Sequence, residues 1–303
     1  MSAKVVALAQ AARRPRRVAV GTFDGVHRGH RVVIEGADTV LTFDPHPTSI
    51  VHPAAAPKLL TTVARKAELV GGLRVEELVV IPFDATFAGQ EAQAFIDEIL
   101  VGALGAQQVA VGENFRFGHR ARGDSDLLRA DDRFVTREVK LLEVDGEVVS
   151  SSHIRGLIAG GAVGYAATLL GDPFVLDGRV VHGDEVGRDL GYPTANLVPD
   201  DAHVLPGHGI YACLAVLDDG SQHAAAVNVG VRPTFASGRG ELVEAFLLDW
   251  EGDLYGRELR LRFLKRLRGE RRFPTPDALV EQMHRDVAAT RAVLAGAATR
   301  HLA

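Results

Sequence analysis

Cysteine is nearly absent: Cys213 stands alone in 303 residues. An internal disulfide framework is therefore excluded, and a reducing compartment is expected. Long hydrophobic runs are missing as well, none approaching the roughly 18 apolar residues of a membrane span. The amino end also lacks the apolar core of a signal peptide, so a cytoplasmic chain without a membrane partner is expected. Neither sign of charge dominates, since 34 Lys and Arg face 39 Asp and Glu for a formal net charge of −5. Spread without long runs, that charge argues against a nucleic-acid partner held by phosphate neutralisation. Arg13, Arg14, Arg16 and Arg17 form one local basic patch, read as a solvated face or a phosphate attractor. There is no internal repeat, no low-complexity linker, no His-Glu-x-x-His pair and no Gly-x-x-x-x-Gly-Lys-Ser/Thr loop. Any phosphoryl chemistry must use another cradle.

What is present is enough for real cores. Hydrophobic residues make up 47% of the 303, and at roughly 150 residues per domain the chain is about two domains long. Up to about residue 170, short apolar runs alternate with amphipathic stretches. Strands are predicted over residues 17–20, 39–43, 78–82, 108–112, 134–136 and 139–144. Between them, residues 91–104 carry Phe95, Ile96, Ile99, Leu100, Ala103 and Leu104 at helical spacing. Strands alternating with helices imply a parallel sheet whose strand-end loops are neighbours in space. Residues 164–170 make one more apolar helix, and the turn cluster Gly171-Asp172-Pro173 then marks the expected boundary between domains 1–171 and 172–303. Beyond it, strand signals at 174–181, 210–217, 223–229, 242–248 and 258–264 follow one another without helices. That texture implies an antiparallel barrel or sandwich. Leu279, Met283, Val287 and Leu294 stripe a closing helix over residues 276–295.

The unusual residues sit in the predicted strand-end loops. Gly21-Thr22-Phe23-Asp24-Gly25-Val26-His27-Arg28-Gly29-His30 follows the apolar run Val18-Ala19-Val20. If a helix starts there, His27 and His30 lie one turn apart on one side, where free backbone N–H groups favour an anion such as a nucleoside triphosphate. A pair of surface histidines, or zinc held by His27, His30 and Asp24, are the alternatives. Next comes Thr42-Phe43-Asp44-Pro45-His46-Pro47, where two prolines stiffen a loop bearing a carboxylate and an imidazole. Gly112-Glu113-Asn114-Phe115-Arg116-Phe117-Gly118 sets two aromatics around an Arg. Core residues by default, they read here as a flat platform beside a cation, suited to a planar ring bearing a phosphate. Val149-Ser150-Ser151-Ser152-His153-Ile154-Arg155 offers hydroxyls and an Arg for a helix cap, a phosphate, or both. In the second half, the run Gly183-Asp184-Glu185-Val186-Gly187-Arg188-Asp189-Leu190-Gly191-Tyr192-Pro193-Thr194-Ala195-Asn196 has glycines that admit close approach of a ligand. Its Thr194 and Asn196 present neutral oxygens of the kind a hard magnesium ion accepts. A plain Gly-rich hairpin is the alternative for Gly183 to Gly187. Glu244 interrupts the apolar run Leu242 to Leu248 and, taken alone, faces solvent on the wet side of its sheet.

The first of these loops resembles the His-x-Gly-His signature of nucleotidylyltransferases, and with its Gly-Thr-Phe-Asp-Gly prefix the chain resembles the bacterial bifunctional riboflavin kinase/FMN adenylyltransferase family. The family's Thr-Phe-x-Pro-His-Pro, Gly-x-x-Phe-x-Phe-Gly and Ile-Ser-Ser-Thr-x-x-Arg patterns follow in order, the last with Ser152 for Thr and His153 where Arg is common. Pro193-Thr194-Ala195-Asn196 resembles the riboflavin kinase motif. The likeness continues through Pro206-Gly207-His208-Gly209-Ile210-Tyr211, Asn228-Val229-Gly230-Val231-Arg232-Pro233-Thr234-Phe235 and Asp253-Leu254-Tyr255-Gly256-Arg257.

The resemblance implies a Rossmann-like parallel-sheet nucleotidylyltransferase domain, then an antiparallel β-barrel riboflavin kinase domain with a C-terminal helix. It implies magnesium, ATP, riboflavin, FMN and FAD, with small-molecule substrates as the partners of a monomer or weak homo-oligomer. Catalytic roles are implied for Glu244, as general base on the riboflavin 5′-hydroxyl, and for His27 and His30. In the adenylyltransferase half, Gly21, Phe23, Asp24, Gly25, Ser151, Ser152 and Arg155 are implied to contact ATP. Asp44, His46, Asn114 and Arg116 are implied to contact the flavin. In the kinase half, Gly178, Gly183, Gly187, Arg188, Gly191, Thr194 and Asn196 are implied to bind ATP, the last two through the metal. One departure stands out: only Arg31 to Asp38 separates His30 from the next strand, a crossover shorter than the family's, with Gly36 interrupting it. The alternatives are a kinase with an impaired adenylyltransferase half, a non-catalytic flavin or nucleotide sensor, and a zinc hydrolase.

Overall fold

The computed structural model describes residues 2–182, 192–231 and 241–300, and the chain divides into two compact units, Met1–Ser151 and Ser152–Ala303. The first is built on β1 (Lys4–Ala7), β2 (Arg16–Val20), β3 (Thr39–Asp44), β4 (Glu77–Pro82), β5 (Ala106–Gly112) and β6 (Val135–Val139). They form one sheet in the order β1-β4-β3-β2-β5-β6, and every pair is parallel. Parallel strands need helices on both faces, which is why β4 reads as a continuous run of Leu, Val and Ile over residues 78–81. One face packs Phe95, Ile96, Ile99 and Leu100 of the helical segments Ala92–Ala94 and Phe95–Ala103. The other packs Val33, Ile34, Ala67 and Val70 of the helices Arg28–Ile34 and Val63–Gly72. Burial of each Val, Leu, Ile or Phe among them contributes about 1.5–3 kcal/mol. Because β3 and β4 lie to one side of β2 and β5 and β6 to the other, the carboxyl end of β2 is where the strand order reverses. Open α/β sheets bind ligands there.

Three expectations change. The runs 134–136 and 139–144 resolve into the single strand β6 and a two-stranded hairpin, β7 (Glu143–Val144) with β8 (Glu147–Val148); Asp145 and Gly146, at φ 53° and 80°, turn it. The arginine cluster divides: Arg13 and Arg17 are exposed, as a solvated face requires, and Arg16 is not. Arg16 is fully buried at the amino end of β2, where it donates to Thr39 Oγ1 at 2.9 Å and Ala12 O at 2.8 Å and pairs with Glu77. Arg14 pairs with Glu76 at 3.0 Å and Arg17 with Asp38 at 3.4 Å. These pairs lie at the amino end of β2, opposite the loops at the carboxyl ends of the strands. Finally, the short crossover still holds a helix and leads into a strand paired in parallel with β2. Its seven-residue helix ends before Gly36, which turns the chain at φ +78° in open space. Arg137 of β6 donates to the carbonyls of Val32, Val33 and Glu35 at 3.2, 2.6 and 2.8 Å, so the helix end keeps acceptors satisfied.

In the second unit β9 (Phe174–Val181), β10 (Ala195–Pro199), β11 (Gly209–Leu217), β12 (Gln222–Val231), β13 (Glu241–Leu247) and β14 (Glu258–Arg268) close into a barrel. All pairs are antiparallel. Closure leaves no edge to protect. Leu259, Leu261 and Phe263 point inward while Arg260 and Arg262 stay on the outer face, as the period-2 pattern requires. The helix Pro276–Arg300 lies on β11, β12 and β14. The helix Val163–Leu170 packs on β14 and β9, within the second compact unit.

Candidate functional site

Loops from the carboxyl ends of β2, β3, β4, β5 and β6 surround a cavity of about 1020 Å³ in the first unit. The turn after β2 is its most constrained wall. Phe23, Gly25 and Val26 all take positive φ, at 46°, 85° and 42°, a conformation two non-glycine residues hold only because the surroundings over-determine it. The Phe23 ring is buried and lies so close over Gly21 that a Cβ there would sit 3.0 Å from its Cζ. That ring meets His30 edge-on at 5.2 Å, and His30 stacks on His27 with centroids 3.5 Å apart. His27 caps the following helix, its Nδ1 accepting from the His30 N–H at 3.2 Å. The proton of the neutral ring therefore sits on Nε2, a donor suited to a phosphate oxygen.

Gly21, Phe23, His27, His30, His46, Asn114, Arg116 and Ser151 line this cavity, whereas Asp24, Gly25 and Asp44 do not. The Asp24 carboxylate turns inward and accepts from the N–H groups of Leu60 and Thr61 at 2.9 and 3.0 Å and from Thr61 Oγ1 at 3.2 Å. Gly25 N–H donates to the same Thr61 hydroxyl at 3.0 Å. Both residues thereby fix the turn. Asp24 and His27 Nδ1 are thus committed to backbone amides, and among the described residues no group of three or more His, Cys, Asp or Glu is placed to hold a metal. Asp44 is exposed at the end of β3. Ser151 Oγ donates to the Asp24 carbonyl at 2.9 Å; Ser152 and Arg155 follow on the helix Ser151–Ala159 in the second unit, Arg155 donating to Ser152 Oγ at 3.5 Å.

The aromatic platform divides. Phe117 is buried and joins the core, while Phe115, half-buried, stacks on it at 5.5 Å and stays on the cavity side. Phe43, Phe83, Phe87 and Phe95 continue the row at 5.2–6.4 Å spacings, giving one side of the chamber a continuous aromatic wall. Lys66 escaped the sequence reading. It is buried, and its ammonium donates to the Thr22 carbonyl at 2.6 Å and to Thr42 Oγ1 at 3.0 Å. Desolvation pushes it down to about 8, against the pull of Asp24 and Asp44. The signal was a lysine on the apolar stripe Val63, Lys66, Ala67, Val70 of its helix.

A second cavity, about 400 Å³, lies in the other unit between the barrel's outer face and the helix Pro276–Arg300. Glu244 pairs across the sheet with Asn196 on one side and Asn228 on the other. Alternation puts all three on the outer face, and Asn228 Nδ2 donates to Glu244 Oε2 at 3.4 Å. Glu244 thus does face outward, but beneath the helix side chains Leu279, Met283 and Val287, which line the same cavity as Glu244, Asn228 and Thr194. Tyr192, ahead of Thr194, bonds His284 Nδ1 at 2.7 Å and packs on Phe246 at 5.0 Å. Arg268 grips Asp286 with both Nε contacts at 3.0 Å and Nη2 at 2.7 Å, tying helix to barrel. Tyr192, His284, Arg268 and Asp286 were not legible as site residues, because only the closed barrel brings the helix to them. Gly178 instead faces the barrel interior, where a Cβ would stand 2.8 Å from Leu197 Cγ; close packing explains it without a ligand. Gly183, Gly187, Arg188 and Gly191 lie outside the described residues.

Comparison with known proteins gives both halves a family. The FAD synthetase family model matches residues 9–153 and the riboflavin kinase model residues 170–294. The chain is 38% identical to the bifunctional riboflavin kinase/FMN adenylyltransferase of Pseudomonas fluorescens, covering 93% of this chain and 94% of the relative. It is similarly 38% identical to the protein of that description from Escherichia coli K12, over 92% and 93%, and 34% identical to that from Bacillus subtilis, over 89% of each. A crystal structure described as a macrolide-efflux protein from Streptococcus pneumoniae superposes with a TM-score of 0.86 at 28% identity, covering 95% of this chain and 98% of that one. Among the described residues no helix is long and apolar enough to cross a membrane. The motif order, the two folds and the near full-length identity together place this chain in the bifunctional riboflavin kinase/FMN adenylyltransferase family.

Proposed function

We propose that the chain makes FAD from riboflavin in two ATP-dependent steps, the second unit forming FMN and the first joining AMP to it. In the kinase step the riboflavin 5′-hydroxyl attacks the γ-phosphorus of ATP, the bond to ADP breaks, and Glu244 takes the hydroxyl proton. Asn228, donating to Glu244 Oε2, holds that carboxylate in place. The Thr194 hydroxyl and Asn196 amide oxygen, beside the Glu244 carboxylate, are the hard donors a magnesium ion prefers; the ion would neutralise phosphate charge there. The flat apolar surface of Leu279, Met283 and Val287 suits the flavin ring. We assign residues 172–303 to this activity and 1–171 to the other.

Adenylyl transfer requires no covalent enzyme intermediate. An FMN phosphate oxygen attacks the α-phosphorus of ATP in line, pyrophosphate leaves, and the protein supplies position and charge stabilisation. His27 and His30 donate to the ATP phosphates, Ser151 with Ser152 and Arg155 secures the departing pyrophosphate, and His46, Asn114, Arg116 and Phe115 hold FMN. The observation that carries this reading is a single chamber, about 1020 Å³, shared by the stacked histidines and the aromatic wall. In-line attack needs both substrates in one chamber. A cytoplasmic enzyme acting as a monomer or weak homo-oligomer on small molecules completes the proposal.

The test is chromatography of flavins after incubation with ATP and magnesium, in parallel tubes holding riboflavin or FMN. FAD from both supports the two-step enzyme. FMN from the first tube and FAD from neither would mean that the short crossover has silenced the first unit, and no conversion would leave a flavin-binding sensor.

A further inference from the structure

Lys66 does not line either cavity, yet a buried ammonium is a costly way to fill a core position that methionine would fill at similar length. Its bonds show where that cost is directed. The Thr22 carbonyl belongs to the phosphate-side turn after β2, and Thr42 stands at the end of β3, just ahead of the Phe43-to-Pro47 loop. Thr42 Oγ1 also donates to the Thr22 carbonyl at 3.0 Å. One ammonium therefore gathers two strand ends whose loops form adjacent walls of the chamber. The charged groups facing it are Asp24, from the turn after β2, and Asp44, from the end of β3. Asp24 is itself spent on the Leu60 and Thr61 amides. The ammonium thus sets a positive charge against both carboxylates behind a site that must take up a polyanion.

We infer that Lys66 is a positioning residue for adenylyl transfer, locking the turn that carries His27 and His30 to the end of β3 and cancelling the carboxylate field behind the phosphates. The inference rests on the adenylyltransferase reading of the first unit. Tether and charge can be separated experimentally. A neutral amine still has two N–H groups for Thr22 and Thr42, so deprotonation removes only the charge. Lys66→Met removes both, and Lys66→Arg keeps the charge at every accessible pH.

The experiment measures FAD formation from FMN and ATP, and FMN formation from riboflavin, across pH in wild type, Lys66→Met and Lys66→Arg. Wild-type kcat/KM for FAD should decline above about pH 8 toward a lower plateau, as the proton is lost and the tether remains, while Lys66→Arg shows no such limb. Lys66→Met should be slower than wild type by about tenfold or more at neutral pH, as misplaced reacting groups are, and also lack the limb. FMN formation by the second unit, unchanged by either substitution, serves as the internal control. A wild-type profile flat to about pH 9.5, or a limb that persists in Lys66→Arg, overturns the inference even if Lys66→Met fails to fold. Lys66→Met with wild-type FAD kinetics overturns it as well. Absence of FAD from wild type at every pH would instead overturn the adenylyltransferase reading, and the Lys66 inference with it.

Discussion

Replacing Gly21 by Ala puts a methyl carbon 3.0 Å from Cζ and 3.2 Å from both Cε atoms of Phe23. Carbon atoms rest at about 3.5–4.0 Å, so the ring must retreat by about 0.5 Å. It has little room, being 2% exposed on a backbone already at φ 46°. The displacement passes to His30, which the ring touches edge-on, and through the 3.5 Å stack to His27. Overpacking of this kind costs about 1–3 kcal/mol. An error of about 1 Å in a reacting geometry costs about a hundredfold in rate, so half of that predicts about a tenfold loss. The assay compares kcat/KM for FAD formation from added FMN with the rate of FMN formation from riboflavin in the same preparation. Gly21→Ala should lower the first by about ten- to a hundredfold, equivalent to about 1.4–2.8 kcal/mol, and leave the second unchanged. Wild-type FAD kinetics in a folded Gly21→Ala protein would refute the claim that Phe23 holds the histidine pair in register.

Glu244→Gln keeps the shape and removes the base, so FMN formation should fall by about 10²–10⁴-fold while FAD formation from supplied FMN persists; equal losses in both would sink the assignment. Tyr192→Phe removes the 2.7 Å bond to His284. At about 0.5–1.5 kcal/mol for a neutral hydrogen bond, riboflavin KM should rise about two- to tenfold, read by initial-rate kinetics. Lys66 also has a signature in stability. The unfolded chain binds this proton up to 10.5, whereas the folded protein has released it above about 8, so the wild type gains stability as pH rises between those values. Measured by denaturant unfolding against Lys66→Met, that gain should approach about 1.4 kcal/mol per pH unit, and a pH-independent difference would show that the ammonium is not desolvated.

Most of the local chemistry was legible in order along the chain. The Gly21-to-His30 turn, the Phe43-to-Pro47 loop and the Asn114-to-Phe117 loop each follow an apolar run, and a parallel sheet gathers such loops at one edge. Alternation in β14 likewise announced a sheet with one wet face. Short or weakly patterned pieces escaped: β1 has four residues and β10 five, too few for periodicity to register. Asp24 read as a ligand contact because its neighbours were, while the amides of Leu60 and Thr61 that claim it lie 36 and 37 positions away. Arg16 read as surface because it sits among arginines; its partners Thr39 and Glu77 are on other strands.

The sequence by itself determined what is encoded within a few residues: the two textures of α/β and antiparallel β, the motifs at the strand ends, and the identity of the groups able to do chemistry. Periodicity and turn chemistry are local, so they survive in one dimension. Tertiary structure alone decided which of those groups are brought together around a cavity. The Asn196–Glu244–Asn228 row exists because of the register of three barrel strands, where a slip of one residue would turn every side chain to the other face. The Lys66 ammonium becomes intelligible only when two strand ends and a helix converge on it, since desolvation and pairing depend on everything that surrounds a charge in space.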